Sequence, residues 1–344
     1  MPMLSEREWE KLLALLREKR LVPVIGPELL RVPYGDNPAA RLYDLWGQTL
    51  ADQRGIQTMP SGDEIPLLYR VTNRLSVDPD IPIGEFGGDI NDVVCNPTFP
   101  MPEPLLQLAR IIDFPVYLTT TIDHLLEAAV IEGRKSQDRP QVIAFKPGGS
   151  EFECDLPSGF KPGASPVIFH LFGRTSDDRE AFAATEDALI EFSWALIDHS
   201  YSPKNLYDYL HGKTLLLLGC NFPDWLDRFF IHALTRGRGI DVQFVSEYSM
   251  GGLYDFLKRK RARPSLKHSP VDFVAELFRR WQQGAPKETH DKDGIKFGAV
   301  FISYAREDLP AVQRLKAALD AAGVPTWFDL DRLEGGDDYD RKIQ

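Results

Sequence analysis

The chain has 344 residues, 43% of them hydrophobic and 26% charged, a mix typical of a globular protein long enough for two domains. Its formal charge of −11 argues against nucleic-acid or anionic-membrane binding driven by net charge. No apolar run approaches the length of a membrane span, and Glu6, Glu8, Glu10 and Glu18 interrupt any signal peptide. A cytoplasmic protein is therefore expected.

In chain order, Ser5-Glu-Arg-Glu8 is a capping box for a helix on which Trp9, Leu12, Leu13 and Leu16 share a face. Residues 21–25 read as a strand ended by Gly26-Pro27, and residues 39–50 as a second helix. Residues 55–104 are rich in Pro, Gly and Asp and predict long loops with short helices. Order returns with a helix at 104–111, a strand at 116–120 and a helix at 123–132. Strands follow at 142–145 and 167–171, then a helix at 185–197. Residues 214–218 form an apolar run without alternation, as a central parallel strand requires. A helix at 224–234, a strand at 242–245 and a helix at 271–281 close the pattern. Strands alternating with helices predict an α/β fold, a Rossmann-like doubly wound parallel sheet. The basic cluster of Lys258, Arg259, Lys260, Arg261, Arg263 and Lys267 reads as a solvated helix end stopped by Pro264.

The polar stretch 284–295 reads as a linker between a first domain, 1–283, and a second segment, 296–344. Cys95, Cys154 and Cys220 lack any paired spacing, which fits a reducing compartment and excludes a four-cysteine zinc site. The seven histidines show no H-x-x-x-H spacing, so no metal is expected.

Ligands of open α/β sheets collect at the carboxyl ends of the strands, where strand order reverses. Four strand ends carry candidate residues: Ile25-Gly-Pro-Glu-Leu-Leu30, Thr119-Thr-Thr-Ile-Asp-His-Leu-Leu-Glu127, Val167-Ile-Phe-His-Leu-Phe-Gly173 and Leu218-Gly-Cys-Asn-Phe-Pro-Asp224. In that order they resemble the landmarks of a sirtuin-like domain over roughly residues 8 to 282, and Thr185-Glu-Asp187 is similar to bacterial sirtuin-like defence proteins. The resemblance implies a zinc-free NAD site with Gly26, Thr121, Gly219 and Asn221 on the dinucleotide and Asp123 and His170 as the catalytic pair. Each has a plainer reading. Gly26 can simply end a strand, Asp123 can cap a helix, and His170 can be a satisfied core residue or a general base. The sequence departs from the family where Pro27 removes a backbone donor, Glu28 adds negative charge, and Thr121 stands in the place of an asparagine.

Ala299-Val-Phe-Ile-Ser-Tyr-Ala-Arg-Glu-Asp308 reads as a strand entering a helix, with Leu315, Ala318 and Leu319 on its core face and Gly323 as its C-cap. Gly323-Val-Pro-Thr-Trp-Phe-Asp329 and Leu333-Glu-Gly-Gly-Asp337 follow. This order resembles the opening of a Toll/interleukin-receptor (TIR) domain, an incomplete flavodoxin-like fold of which two strands are present. The resemblance implies NAD contacts at Ser303, Tyr304 and Arg306, a covering loop at 330–338, and self-association. The glutamate on which TIR chemistry depends belongs to a later helix that this sequence does not contain.

Three functions follow as expectations: an immune or stress effector whose complete TIR domain cleaves NAD while the first domain senses or assembles; a non-catalytic nucleotide-binding and TIR–TIR scaffolding protein; or NAD hydrolysis by the sirtuin-like domain itself. The partners expected are NAD or a related nucleotide and further copies of the chain, with no membrane, metal or nucleic acid.

Overall fold

The computed structural model describes residues 3–57, 65–78, 85–95, 99–134, 139–163, 165–176, 178, 181–198, 200–220, 224–235, 240–247, 253–259, 263–266, 268–284, 300–301, 309–321 and 326–327. The chain divides into two units, Met1–Trp281 and Gln282–Gln344.

The first unit opens with helix α1 (Glu6–Arg17), whose cap is satisfied by Ser5 N–H and Oγ donating to Glu8 Oε2 at 2.8 and 2.7 Å. Strand β1 (Leu21–Ile25) leads through a single 3-10 turn (Pro27–Leu29) into a hairpin of β2 (Arg31–Tyr34) and β3 (Asn37–Arg41). Helices α2 (Leu42–Gln53), α3 (Leu67–Ser76), α4 (Glu85–Val94) and α5 (Glu103–Arg110) precede β4 (Val116–Thr119). Then come α6 (Leu125–Arg134), β5 (Gln141–Ala144), α7 (Glu151–Cys154), β6 (Val167–His170), α8 (Glu186–Ala195) and α9 (Lys204–Leu210). The unit ends with β7 (Thr214–Leu218), α10 (Asp224–Thr235), β8 (Asp241–Ser246), α11 (Leu253–Arg259), β9 (Arg263–Leu266) and α12 (Pro270–Gly284).

Seven strands form one parallel sheet in the order β5-β6-β4-β1-β7-β8-β9, flanked by helices in the Rossmann manner. All of β1 is buried, as are the four leucines of β7, so the sheet is covered where these two strands meet. Pro23 lies inside β1, between two neighbours, where a missing N–H would ordinarily break a ladder. Gly26 N–H donates to Leu218 and Ile25 carbonyl accepts from Thr120, so odd-numbered residues of β1 face β4. Pairing with β4 begins only at Val24, so the absent Pro23 donor falls where no ladder bond is required.

Three sequence expectations need correction. The helix expected from residue 39 starts at Leu42, because Ala39 and Ala40 belong to β3, and the hairpin was not foreseen. Strand β9 carries Pro264 on the sheet edge, a position that tolerates proline, where the sequence suggested a helix stop. In the second unit, β10 (Val300–Phe301) pairs in parallel with β11 (Thr326–Trp327) and α13 (Leu309–Ala321) connects them. Among its described residues Val312 is buried, whereas Leu315, expected on the core face, is 50% exposed. The described sheet there has two strands.

Candidate functional site

The strand order places a switch point between β1 and β7: the chain leaves β1 towards β4 on one side and leaves β7 towards β8 on the other. The carboxyl ends of these strands gather most of the sequence-predicted site residues into two neighbouring groups. Ser303, Tyr304, Arg306, the 330–338 loop and Asn221 lie outside the described residues.

The first group is built from the ends of β1, β7 and β8. Gly26 and Gly219 pack directly on one another: a Cβ on Gly26 would meet the Gly219 carbonyl oxygen at 2.2 Å. Gly219 has φ +64, which favours glycine, and a Cβ there would meet the Glu28 Cβ at 2.6 Å. The loop's N–H groups are all consumed internally. Gly26 donates to Leu218, Glu28 to Gly219, Leu29 to Gly26 and Leu30 to Pro27, while Pro27 has none to give.

Glu28 itself is 3% exposed. Its carboxylate accepts from Ser246 Oγ, 3.3 Å from each oxygen. Burial, then the neighbouring Glu247, pushes this carboxyl up to about 7. Arg31 supports the loop and is fully engaged, with Nε donating to the Glu28 carbonyl, Nη1 to the Ala39 carbonyl and Nη2 to Glu247 at 2.7 Å.

The second group stands at the ends of β4 and β6. The hydroxyls of Thr119 and Thr120 donate to the Ile25 carbonyl, tying β4 to β1. Thr121 Oγ1 lies 2.8 Å from Thr119 Oγ1, and Thr121 N–H also donates to that hydroxyl. Asp123 is buried and caps α6 by accepting from Leu125 N–H at 3.0 Å, as the plainer reading of the sequence expected. The buried Tyr43 hydroxyl, from α2, accepts from Ile122 N–H and reaches Asp123 Oδ2 at 3.4 Å. Burial raises the Asp123 carboxyl, opposed chiefly by the Leu125 N–H and by Thr121.

His170 is wholly buried. Its Nδ1 lies 3.3 Å from the Thr121 carbonyl and its Nε2 3.3 Å from Glu127 Oε1. Both ring nitrogens thus face oxygen atoms of the protein itself, and neither is turned towards a ligand. Glu127 also takes a bidentate pair from Arg174, with both contacts at 2.7 Å. Burial pushes Glu127 up, but hydrogen bonds from His170 and Arg174 outweigh it and hold the carboxyl below its ordinary value. Arg174 further approaches His124 Nδ1 at 3.3 Å, and His124 Nε2 meets Thr175 Oγ1 at 3.1 Å. Burial and then Arg174 lower the His124 pKa.

Glu127, Arg174, Tyr43, Ser246 and the burial of Glu28 were not singled out in the sequence. Glu127 follows Asp123 by four residues, one helical turn, and Arg174 follows Gly173 directly, so position offered a signal for these two. Nothing local marks Tyr43 or Ser246, which arrive from other elements. Among the described residues no group of His, Cys, Asp and Glu is arranged to hold a metal, and no helix is long and apolar enough to cross a membrane.

The family profile described as a SIR2-like domain matches residues 115–263, from the start of β4 to the start of β9, which leaves the Gly26 loop outside the match. The profile described as a TIR domain matches residues 300–344. No curated protein matches the chain. Among solved structures, the crystal structure of a Sir2 homologue in complex with NAD aligns with 14% identity and a TM-score of 0.37, covering 80% of this chain and 94% of the other. The chain thus carries a SIR2-like domain followed by TIR-domain sequence.

Proposed function

We propose that the chain is part of an NAD-consuming immune or stress effector. The complete TIR domain cleaves the nicotinamide–ribose bond, and the SIR2-like unit acts as sensor or assembly platform. The pairing of the two matched families supports this reading. The observation that carries the division of labour is the committed state of His170, buried between the Thr121 carbonyl and Glu127. A general base needs a nitrogen facing the proton it removes. Thr121 adds to this, since its single hydroxyl lies against Thr119 where the resemblance expects an asparagine.

The test is nicotinamide release by protein carrying the complete TIR domain. Release is expected to survive His170→Ala and to disappear when the residues from 295 onward are removed. The opposite pattern would transfer the chemistry to the SIR2-like unit.

A second reading, a non-catalytic scaffold, is favoured by one surface. Ile190 and Trp194 lie one turn apart on α8 at 41% and 52% exposure, and Trp194 packs against the equally exposed Tyr201 with ring centroids 6.3 Å apart. Solvent-facing apolar clusters of this kind mark association surfaces. A second copy of the chain is the occupant that the assembly role calls for.

A further inference from the structure

The resemblance leads one to expect a dinucleotide at the β1–β7 switch point, its phosphates held by backbone N–H groups of the first loop. The residues present do not fit that ligand. Phosphate cradles work by presenting unspent donors with little negative charge nearby. Here each N–H from Gly26 to Leu30 already has a carbonyl partner, and Pro27 contributes none. Glu28 lies against Gly219 and turns its carboxylate onto Ser246 at the end of β8. The charged groups facing it are Glu247 and Arg31. Glu247 is a second acid, and the Arg31 guanidinium is shared among Glu247, the Glu28 carbonyl and the Ala39 carbonyl.

We infer that Glu28 is an internal plug: its side chain closes the switch-point crevice, and the SIR2-like unit takes no dinucleotide pyrophosphate there. Two features of the fold agree on this: the loop donors are spent, and Glu28 itself is buried against Gly219, the residue that follows β7. Gly26 and Gly219 therefore serve the contact between the two strand ends, where the sequence suggested they serve a ligand. The inference concerns binding by the first unit and stands or falls independently of where NAD is cleaved.

The experiment is calorimetric titration of the whole chain at pH 8 with ADP-ribose, which carries the pyrophosphate without the nicotinamide. The wild-type protein is expected to show no saturable binding at millimolar ligand. Glu28→Gly should gain binding at least about tenfold tighter than the wild-type limit. Glu28→Gln keeps the bulk and removes the charge, so binding by Gln as well as Gly assigns the exclusion to charge, and binding by Gly alone assigns it to volume. Either pattern supports the plug. Saturable wild-type binding that protects the amides of residues 26–30 from exchange overturns it, as does failure of two folded variants to bind. Should Glu28→Gly not fold, amide hydrogen exchange at residues 26–30 of the wild type decides. Exchange unchanged by ADP-ribose supports the plug, and protection on adding it overturns the plug.

Discussion

Gly219 leaves Gly26 no room for a side chain, since a Cβ on Gly26 would sit 2.2 Å from the Gly219 oxygen and 2.4 Å from the Cys220 Cα. The atoms it would strike are backbone at the end of β7, which cannot rotate away. Gly26→Ala is therefore expected to part β1 from β7 at the carboxyl edge, with an overpacking cost of about 1–3 kcal/mol. Gly219→Ala adds the left-handed backbone penalty to its contact with Glu28, and should cost at least as much. Urea denaturation of the two variants checks this. A Gly26→Ala protein as stable as wild type would show that the strand ends do not pack this way.

The raised pKa of Glu28 makes a signed prediction about pH. Its carboxyl titrates at about 7 when folded and near 4.5 when unfolded, so between those values the folded chain holds a proton that the unfolded chain has lost. The neutral carboxyl's contribution to stability is complete below about pH 4.5 and is lost as pH rises through about 7. The interval corresponds to on the order of 3 kcal/mol. Glu28→Gln, uncharged throughout, should gain stability relative to wild type by roughly that amount between pH 5 and pH 8. Denaturation of both proteins at the two pH values measures it, and an equal difference at both would contradict the burial of a titrating carboxyl at this position.

Glu127 is contacted by both Arg174 and His170, and the two differ in what they do when it is removed. Arg174 is 35% exposed and can rehydrate, whereas His170 is fully buried and cannot. Glu127→Ala is thus expected to cost about 2–3 kcal/mol, and Arg174→Ala about 1 kcal/mol or less. The folded Glu127 pKa is depressed, so its contribution is present above the ordinary carboxylate value and is lost as pH falls through the lower folded value. Acid denaturation of Glu127→Gln should accordingly lose part of the wild-type pH dependence below about pH 4.5. A double-mutant cycle between Glu127 and His170 with no coupling would separate them.

The sequence made the sheet legible because its strands are buried on both faces: the apolar runs at 21–25 and 214–218 carry no competing helical period and coincide with β1 and β7. The hairpin was hidden because Pro33 and Pro38 are poor strand formers, and only pairing across the turn at Gly35 and Asp36 makes strands of their segments. At the site, spacing located Gly26, Asp123, His170 and Gly219 at strand ends but did not say which atoms approach them. A glycine shows that something is close; whether that is a phosphate or another strand depends on the fold. Glu28 was read as a charge facing a ligand. Its burial follows from Ser246, more than two hundred residues away, which no local pattern reports.

The exposed cluster on α8 gives the assembly reading its own test. Phe192 and Leu189 turn inward from this helix, so Ile190 and Trp194 are left outward without a core role. Replacing Trp194 by glutamate should therefore change stability little, within about 0.5 kcal/mol, as for other surface positions. A charge at the centre of an apolar interface is costly to bury, so the same substitution should weaken self-association by tenfold or more, about 1.4 kcal/mol. Sedimentation velocity of wild type and Trp194→Glu across a concentration series reads both states, with Glu191→Lys on the same helix as a control for charge alone. If the two proteins sediment identically while the wild type is an oligomer, the contact lies elsewhere. If the wild type stays monomeric at every concentration, the SIR2-like unit is not an assembly platform through this face.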